Sequence, residues 1–86
     1  MPYWVYVIRN WSGQLYVGVT FDVSERLEDH NTGRSRWTKG RGPWELIWKR
    51  EMESLGDARR FELRLKRQGR GQGFYKLTGI SHPSRS

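Results

Sequence analysis

Trp4-Val5-Tyr6-Val7-Ile8-Arg9-Asn10-Trp11-Ser12-Gly13-Gln14-Leu15-Tyr16-Val17-Gly18-Val19 is the stretch that decides how this chain folds. Two β-rich apolar runs flank a Ser-Gly turn signal, so residues 3–19 read as a β-hairpin. The first run is apolar at successive positions, which predicts a central strand covered on both faces. Register matters chemically here, because side chains alternate between the faces of a sheet. A three-residue loop, Trp11-Ser12-Gly13, pairs Asn10 with Gln14 and sets Gly13 at the left-handed position such loops need. Tyr6 then lies opposite Gly18, which leaves open space beside it, and Tyr16 lies opposite Ile8. The two phenols become diagonal neighbours, roughly 7–8 Å apart at the backbone. A two-residue Ser-Gly loop would instead split them across the sheet.

Downstream of the hairpin, Asp22-Val23-Ser24-Glu25 has capping-box spacing, with Asp22 as N-cap and Glu25 three residues on. The helix it opens is expected from about Val23 to His30, ending before Gly33. Val23 and Leu27 form its buried stripe. Arg26 and His30 lie four apart on one edge of that stripe, so they can point together toward the rim of the sheet. Taken alone, the helix favours reading them as an ordinary solvated pair.

Gly33 to Gly42 is a basic loop in which Arg34, Arg36, Lys39 and Arg41 surround Trp37. Basic side chains interleaved with an aromatic suit a phosphate backbone with a base stacked on the indole. A solvated loop with Trp37 tucked into the core fits the same residues, since a lone Trp is usually mostly buried. Pro43-Trp44-Glu45-Leu46-Ile47-Trp48 reads as a third strand, with proline at its start where a strand tolerates it. Its imperfect alternation predicts cover on both sides.

Ser54-Leu55-Gly56-Asp57 can open a second helix running to about Gln68, with Leu55, Ala58, Phe61 and Leu65 as its apolar stripe. Glu62 falls inside that stripe rather than opposite it. A buried carboxylate is costly unless it is paired or bound to a metal. An arginine partner in a structural ion pair, snorkelling at the edge of the stripe, and a metal or catalytic role all remain open at this stage. Residues 69–86 are Gly-rich, then carry a Phe74-Tyr75-Lys76-Leu77 patch expected to pack down. The domain is expected over residues 1–80, with 81–86 as a frayed tail.

The totals narrow the class. The chain has 86 residues, which predicts one domain with a modest core. It has no cysteine, which excludes disulfides and zinc-thiolate sites. No apolar run approaches the length of a signal-peptide core or a membrane span, so a cytoplasmic protein with no membrane partner is expected. Sixteen Lys and Arg oppose nine Asp and Glu, a net charge of +7. A compact basic domain favours polyanions, of which nucleic acid is the commonest. A generically basic protein without such a partner is the alternative.

Taken in order, these pieces resemble the GIY-YIG nuclease family. Trp4-Val5-Tyr6 stands where the first signature triplet would be, without its glycine, and Tyr16-Val17-Gly18 matches the second. Arg26-Leu27-Glu28-Asp29-His30-Asn31 follows at the family's usual distance. Gly42-Pro43-Trp44-Glu45-Leu46 leads the third strand as in small single-domain bacterial members, and Phe61-Glu62 with Leu65-Lys66 matches the glutamate helix. The likeness covers about residues 3–68. Many members also carry an asparagine after that helix, whereas this chain has none beyond Asn31.

The resemblance implies an α+β fold, a three-stranded antiparallel sheet flanked by helices. It implies a divalent-metal-dependent endonuclease that hydrolyses DNA phosphodiester bonds with one Mg²⁺ or Mn²⁺ held by Glu62. Arg26 would bind and stabilise the charged phosphate, Tyr6 or Tyr16 would act as general base or position the water, and His30 would assist proton transfer or phosphate binding. Arg34, Arg36, Trp37, Lys39, Arg41, Lys66, Arg67 and Arg70 are the expected nucleic-acid contacts. One basic loop reads backbone and stacked bases but few groove edges, so single-stranded or branched DNA is the expected partner, with RNA and a protein partner as further candidates. The rival expectation is a degenerate nucleic-acid-binding module, or a subunit of a DNA repair assembly.

Overall fold

A computed structural model describes residues 2–68 and 72–80 of the chain. Its elements run β1 (Tyr3–Asn10), β2 (Leu15–Thr20), α1 (Val23–Thr32), β3 (Trp44–Met52), α2 (Leu55–Gln68) and α3 (Gln72–Thr78). The strands form one antiparallel sheet in the order β2-β1-β3, with β1 central as its apolar run predicts.

The hairpin takes the three-residue loop. Asn10 N–H donates to Gln14 O at 3.1 Å, and Gly13 has φ +87°, a left-handed backbone that glycine adopts without strain. Tyr6 pairs with Gly18 and Ile8 with Tyr16, so the two phenols share a face. The Asn10 side chain stiffens the turn. Its Oδ1 accepts from Ser12 N and Gln14 N, and its Nδ2 donates to Arg41 O at 3.0 Å, which ties the turn to the basic loop.

The sheet separates two cores. Val5, Val7, Leu15 and Val17 meet Ala58, Leu65 and Phe74 on one face. On the other, Tyr6, Ile8 and Trp44 pack with Tyr16, Leu27 and Leu46. The third strand departs from the expectation of cover on both sides. It is an edge strand, and Trp44 is its one fully buried side chain. Its broken alternation comes from a bulge: Val7 pairs with Trp48 but Ile8 with Leu46, so Ile47 is extra. Trp44 and Leu46 therefore join the α1 face, while Ile47 and Trp48 join the α2 face.

Asp22 caps α1 by accepting from Glu25 N at 3.0 Å. The Asp22 N–H itself donates to Thr20 Oγ1 at 3.1 Å, the position that a full capping box would give to Glu25. The helix runs to Thr32, two residues past the expected end at His30, and closes on Gly33. Val23 and Leu27 are only half-buried, and His30 is the fully buried residue of the helix. Ser54 caps α2 through Asp57 N at 3.1 Å, and Leu55 is 38% exposed because it sits in the first turn, outside the stripe expected of it. The aromatic patch of residues 74–77 packs down as a short helix, α3, which sequence reading did not assign. Its propensity is weak, and burial of Phe74 against α2 and the sheet stabilises it. The expected tail at 81–86 lies outside the described residues. Among the described residues, no helix is long and apolar enough to cross a membrane.

Candidate active site

The α1 face of the sheet holds a polar cluster under aromatic cover. Tyr6 is 1% exposed, and its ring lies flat across Gly18. A Cβ at that glycine would fall 2.5 Å from the Tyr6 hydroxyl oxygen, so the close approach requires glycine. The Tyr6 hydroxyl lies 2.8 Å from His30 Nε2, and His30 Nδ1 lies 2.7 Å from Thr38 Oγ1. Thr38 Oγ1 also donates to Ser35 O at 3.4 Å. A hydroxyl has one proton to give, so Thr38 accepts from His30 Nδ1–H. Nε2 is then the acceptor, and Tyr6 O–H donates to it. This assigns His30 as the neutral Nδ1–H tautomer, fixed from both sides.

The electrostatics agree. Burial, and then the Arg26 guanidinium, push the His30 pKa down to about 4, against a smaller opposing pull from Asp29. Burial raises the Tyr6 phenol, the neighbouring Tyr16 and Glu62 add to the rise, and a hydrogen bond and charge from Arg26 oppose it. Tyr6 and His30 are thus a neutral pair at ordinary pH. Arg26 stays charged: partial burial works against it, while the two phenols and Asp29 raise its pKa. Asp29 bonds Arg26 at 3.5 Å and Arg34 at 2.8 Å, and these arginines, Arg34 first, hold its carboxyl below the usual range.

Tyr16 is half-buried and completes the cluster. Its ring centroid lies 4.8 Å from that of His30, 6.4 Å from Tyr6 and 5.5 Å from Trp37. Trp37 is not tucked into the core, the second of the two expectations for it. It is 51% exposed, yet anchored by Tyr16 and Trp44 and by the Arg41 guanidinium 5.0 Å over its ring.

Glu62 comes from α2, and its charge reaches Tyr6. Its side chain is 16% exposed and pairs with Lys66 at 2.9 Å, so its partner is a lysine one turn along rather than an arginine. Among the described residues, no group of three or more His, Asp or Glu lies together. A hard divalent cation keeps most of its waters and can be held by a single carboxylate with substrate oxygens. A partly buried carboxylate whose present partner is a half-exposed lysine fits that donor set.

Of the expected nucleic-acid contacts, Arg36, Lys39, Arg41 and Arg67 are exposed. Arg34 is exposed but engaged by Asp29, and Lys66 is engaged by Glu62. Arg70 lies outside the described residues. Sequence reading missed Thr38, which is fully buried and holds His30; nothing in a basic loop marks one threonine from the rest. It also missed Asn10, for which a signal existed, since asparagine before Ser-Gly favours a side-chain-closed turn. Asn31 fastens β3 to α1: its Oδ1 accepts from Trp44 N at 2.6 Å and its Nδ2 donates to Trp44 O at 3.0 Å.

The family model for the GIY-YIG catalytic domain matches residues 2–74. The chain belongs to the GIY-YIG family. That family is one of nucleases, and its domains act on DNA. Curated relatives are bacterial UPF0213 proteins, a name that states no activity. One from Nitratidesulfovibrio vulgaris is 41% identical over 91% of this chain and 72% of its own length. One from Aeromonas hydrophila is 36% identical over 96% of this chain, which spans only 60% of that protein. The solution NMR structure of a UPF0213 protein from Bacillus halodurans matches 78% of this chain and 72% of that one, at 34% identity and TM-score 0.49.

Proposed function

We propose that this GIY-YIG chain is a divalent-metal-dependent endonuclease that hydrolyses DNA phosphodiester bonds, preferring single-stranded or branched DNA with little sequence specificity. The supporting observation is the convergence of Tyr6, Tyr16, Arg26 and His30 on one face, with the Glu62 carboxylate within electrostatic reach of Tyr6. Two phenols, a permanent cation and one carboxylate suit phosphoryl chemistry, where charge builds on the phosphate and a water must be aimed.

In this reading Arg26 binds a non-bridging phosphate oxygen, as a guanidinium that stays protonated. Tyr16, the half-buried and more accessible of the two phenols, orients the attacking water, and its phenolate accepts the water's proton. Tyr6 keeps its proton and, through its bond to neutral His30, fixes the floor on which Tyr16 and Arg26 stand. Glu62 would hold Mg²⁺ or Mn²⁺, which requires its carboxylate to exchange the Lys66 ammonium for the ion. The ion, when bound, stabilises the leaving oxygen. The exposed cations of the basic loop hold backbone without reading groove edges, which accounts for weak sequence preference.

Cleavage of single-stranded, branched and duplex DNA with Mg²⁺ and Mn²⁺, by the wild type and by Glu62→Gln, tests this. The variant should bind DNA as tightly as the wild type and cut none of it. A wild type that cuts no substrate with either metal would instead be a nucleic-acid-binding module. Cutting that appears only with cell extract would make it a component of a larger assembly.

A further inference from the structure

Beside Tyr16, along the β2 edge of the sheet, lies an open cavity of about 400 Å³. Leu15, Leu65 and Phe74 form its floor, Tyr16 and Trp37 its aromatic sides, and Lys66 part of its rim. It spans elements from both faces of the sheet: the basic loop on one side, α2 and α3 on the other.

We infer that this cavity receives one unpaired nucleobase of the DNA strand, the base next to the phosphate held at Arg26 and Tyr16. The volume is that of a small-ligand pocket, enough for a single nucleoside. Its chemistry is an apolar floor between aromatic side chains, on which any base can stack. Arg41, stacked over Trp37, complements the backbone on one flank, and Lys66, paired with Glu62, stands at the rim on the other. The cavity is also continuous with the candidate site, because Tyr16 is a wall of one and a member of the other. A base seated there brings its own phosphate to Tyr16.

Trp37 is suited to the task because it is set before any ligand arrives. Its ring lies 5.5 Å from Tyr16 and its carbonyl oxygen accepts from Arg41 Nε at 2.9 Å, although half its surface is exposed. An exposed indole held in place loses little freedom on binding. A base inside an intact duplex must be unstacked before it can enter, whereas one in a single strand, bulge or branch need not be. The cavity therefore supplies a physical basis for the strand preference proposed above. It rests on that proposal for the position of the phosphate, though not for the binding of the base.

The test uses duplex DNA with one bulged nucleotide, carrying either a base or an abasic sugar, and measures affinity by titration in metal-free buffer. Wild-type protein should bind the base-containing bulge about tenfold more tightly than the abasic one. Trp37→Ala should bind both equally, and Trp37→Phe should keep most of the preference. A 2-aminopurine at the bulge should lose fluorescence on binding to the wild type as it stacks. Equal binding of the two bulges by the wild type would overturn the inference. So would a Trp37→Ala variant that weakens blunt duplex, abasic bulge and base bulge by the same factor. A protein that prefers the base yet never cuts DNA with metal would keep the pocket and lose the nuclease reading. One that cuts yet ignores the base would do the reverse.

Discussion

The two faces of the sheet are built on different physics. On the α2 face, seven buried apolar side chains hold the structure by excluding water. On the α1 face only three buried apolar residues cluster, and the remaining interior is a chain of hydrogen bonds from Tyr6 through His30 and Thr38 to Ser35. A polar interior is tolerable when every group is satisfied, and among the described residues no buried side-chain polar atom lacks a partner. The first face supplies stability that is indifferent to pH. The second trades some of that indifference for a placed set of ionisable groups.

The contrast is sharpest under substitution. Leu65 is fully buried on the α2 face, and Leu65→Ala should cost about 2–5 kcal/mol of unfolding free energy. Denaturant titrations at two pH values should return the same loss. A loss confined to acid would break the contrast.

On the α1 face the dependence runs through His30. Its pKa falls from 6.5 to about 4 on folding, so between those values the unfolded chain binds the extra proton. Stability therefore rises with pH across that window and is lost as pH falls through it, by about 3 kcal/mol at most for a shift of this size. Denaturation midpoints from acid to neutral pH should show the slope, and His30→Gln should flatten it. By the same reasoning, the pH–rate profile of any cleavage should show no limb at the ordinary histidine pKa.

A smaller effect is expected where the hairpin meets the cluster. Gly18→Ala forces the Tyr6 ring to move, at about 1–3 kcal/mol. Because the ring carries the hydroxyl bonded to His30, the ring-nitrogen shifts of that histidine in NMR spectra should change. Unchanged shifts would mean that the close approach serves packing alone.

Much of this was legible because a few residues carry discrete information. Loop length and Gly13 set the parity of the hairpin, and parity alone puts Tyr6, Tyr16 and Gly18 on one face. Asp22 marks the start of α1, and Glu62 stands out because a charge in an apolar stripe demands an explanation. What stayed hidden depends on tertiary placement. The depth of His30 is fixed by Thr38, eight residues on in a loop without periodicity. The helix α3 exists because Phe74 finds a core, and half-exposure of Trp37 follows from partners on three elements. The bulge at Ile47 mimicked a strand covered on both sides, since an extra residue disrupts alternation just as double burial does.

That bulge also makes chain length, more than composition, the sensitive variable in β3. On either side of Ile47 the pairing with β1 is regular but offset by one. Removing Ile47 would merge the two registers into a single ladder with every other side chain still on its own face, at the expense of one apolar contact and the bend. Removing a neighbour on the outer part of the strand, such as Lys49, would send everything beyond it to the wrong side. The strand therefore tolerates a codon-sized deletion at the bulge without exchanging its faces, whereas the same deletion farther along it scrambles a face.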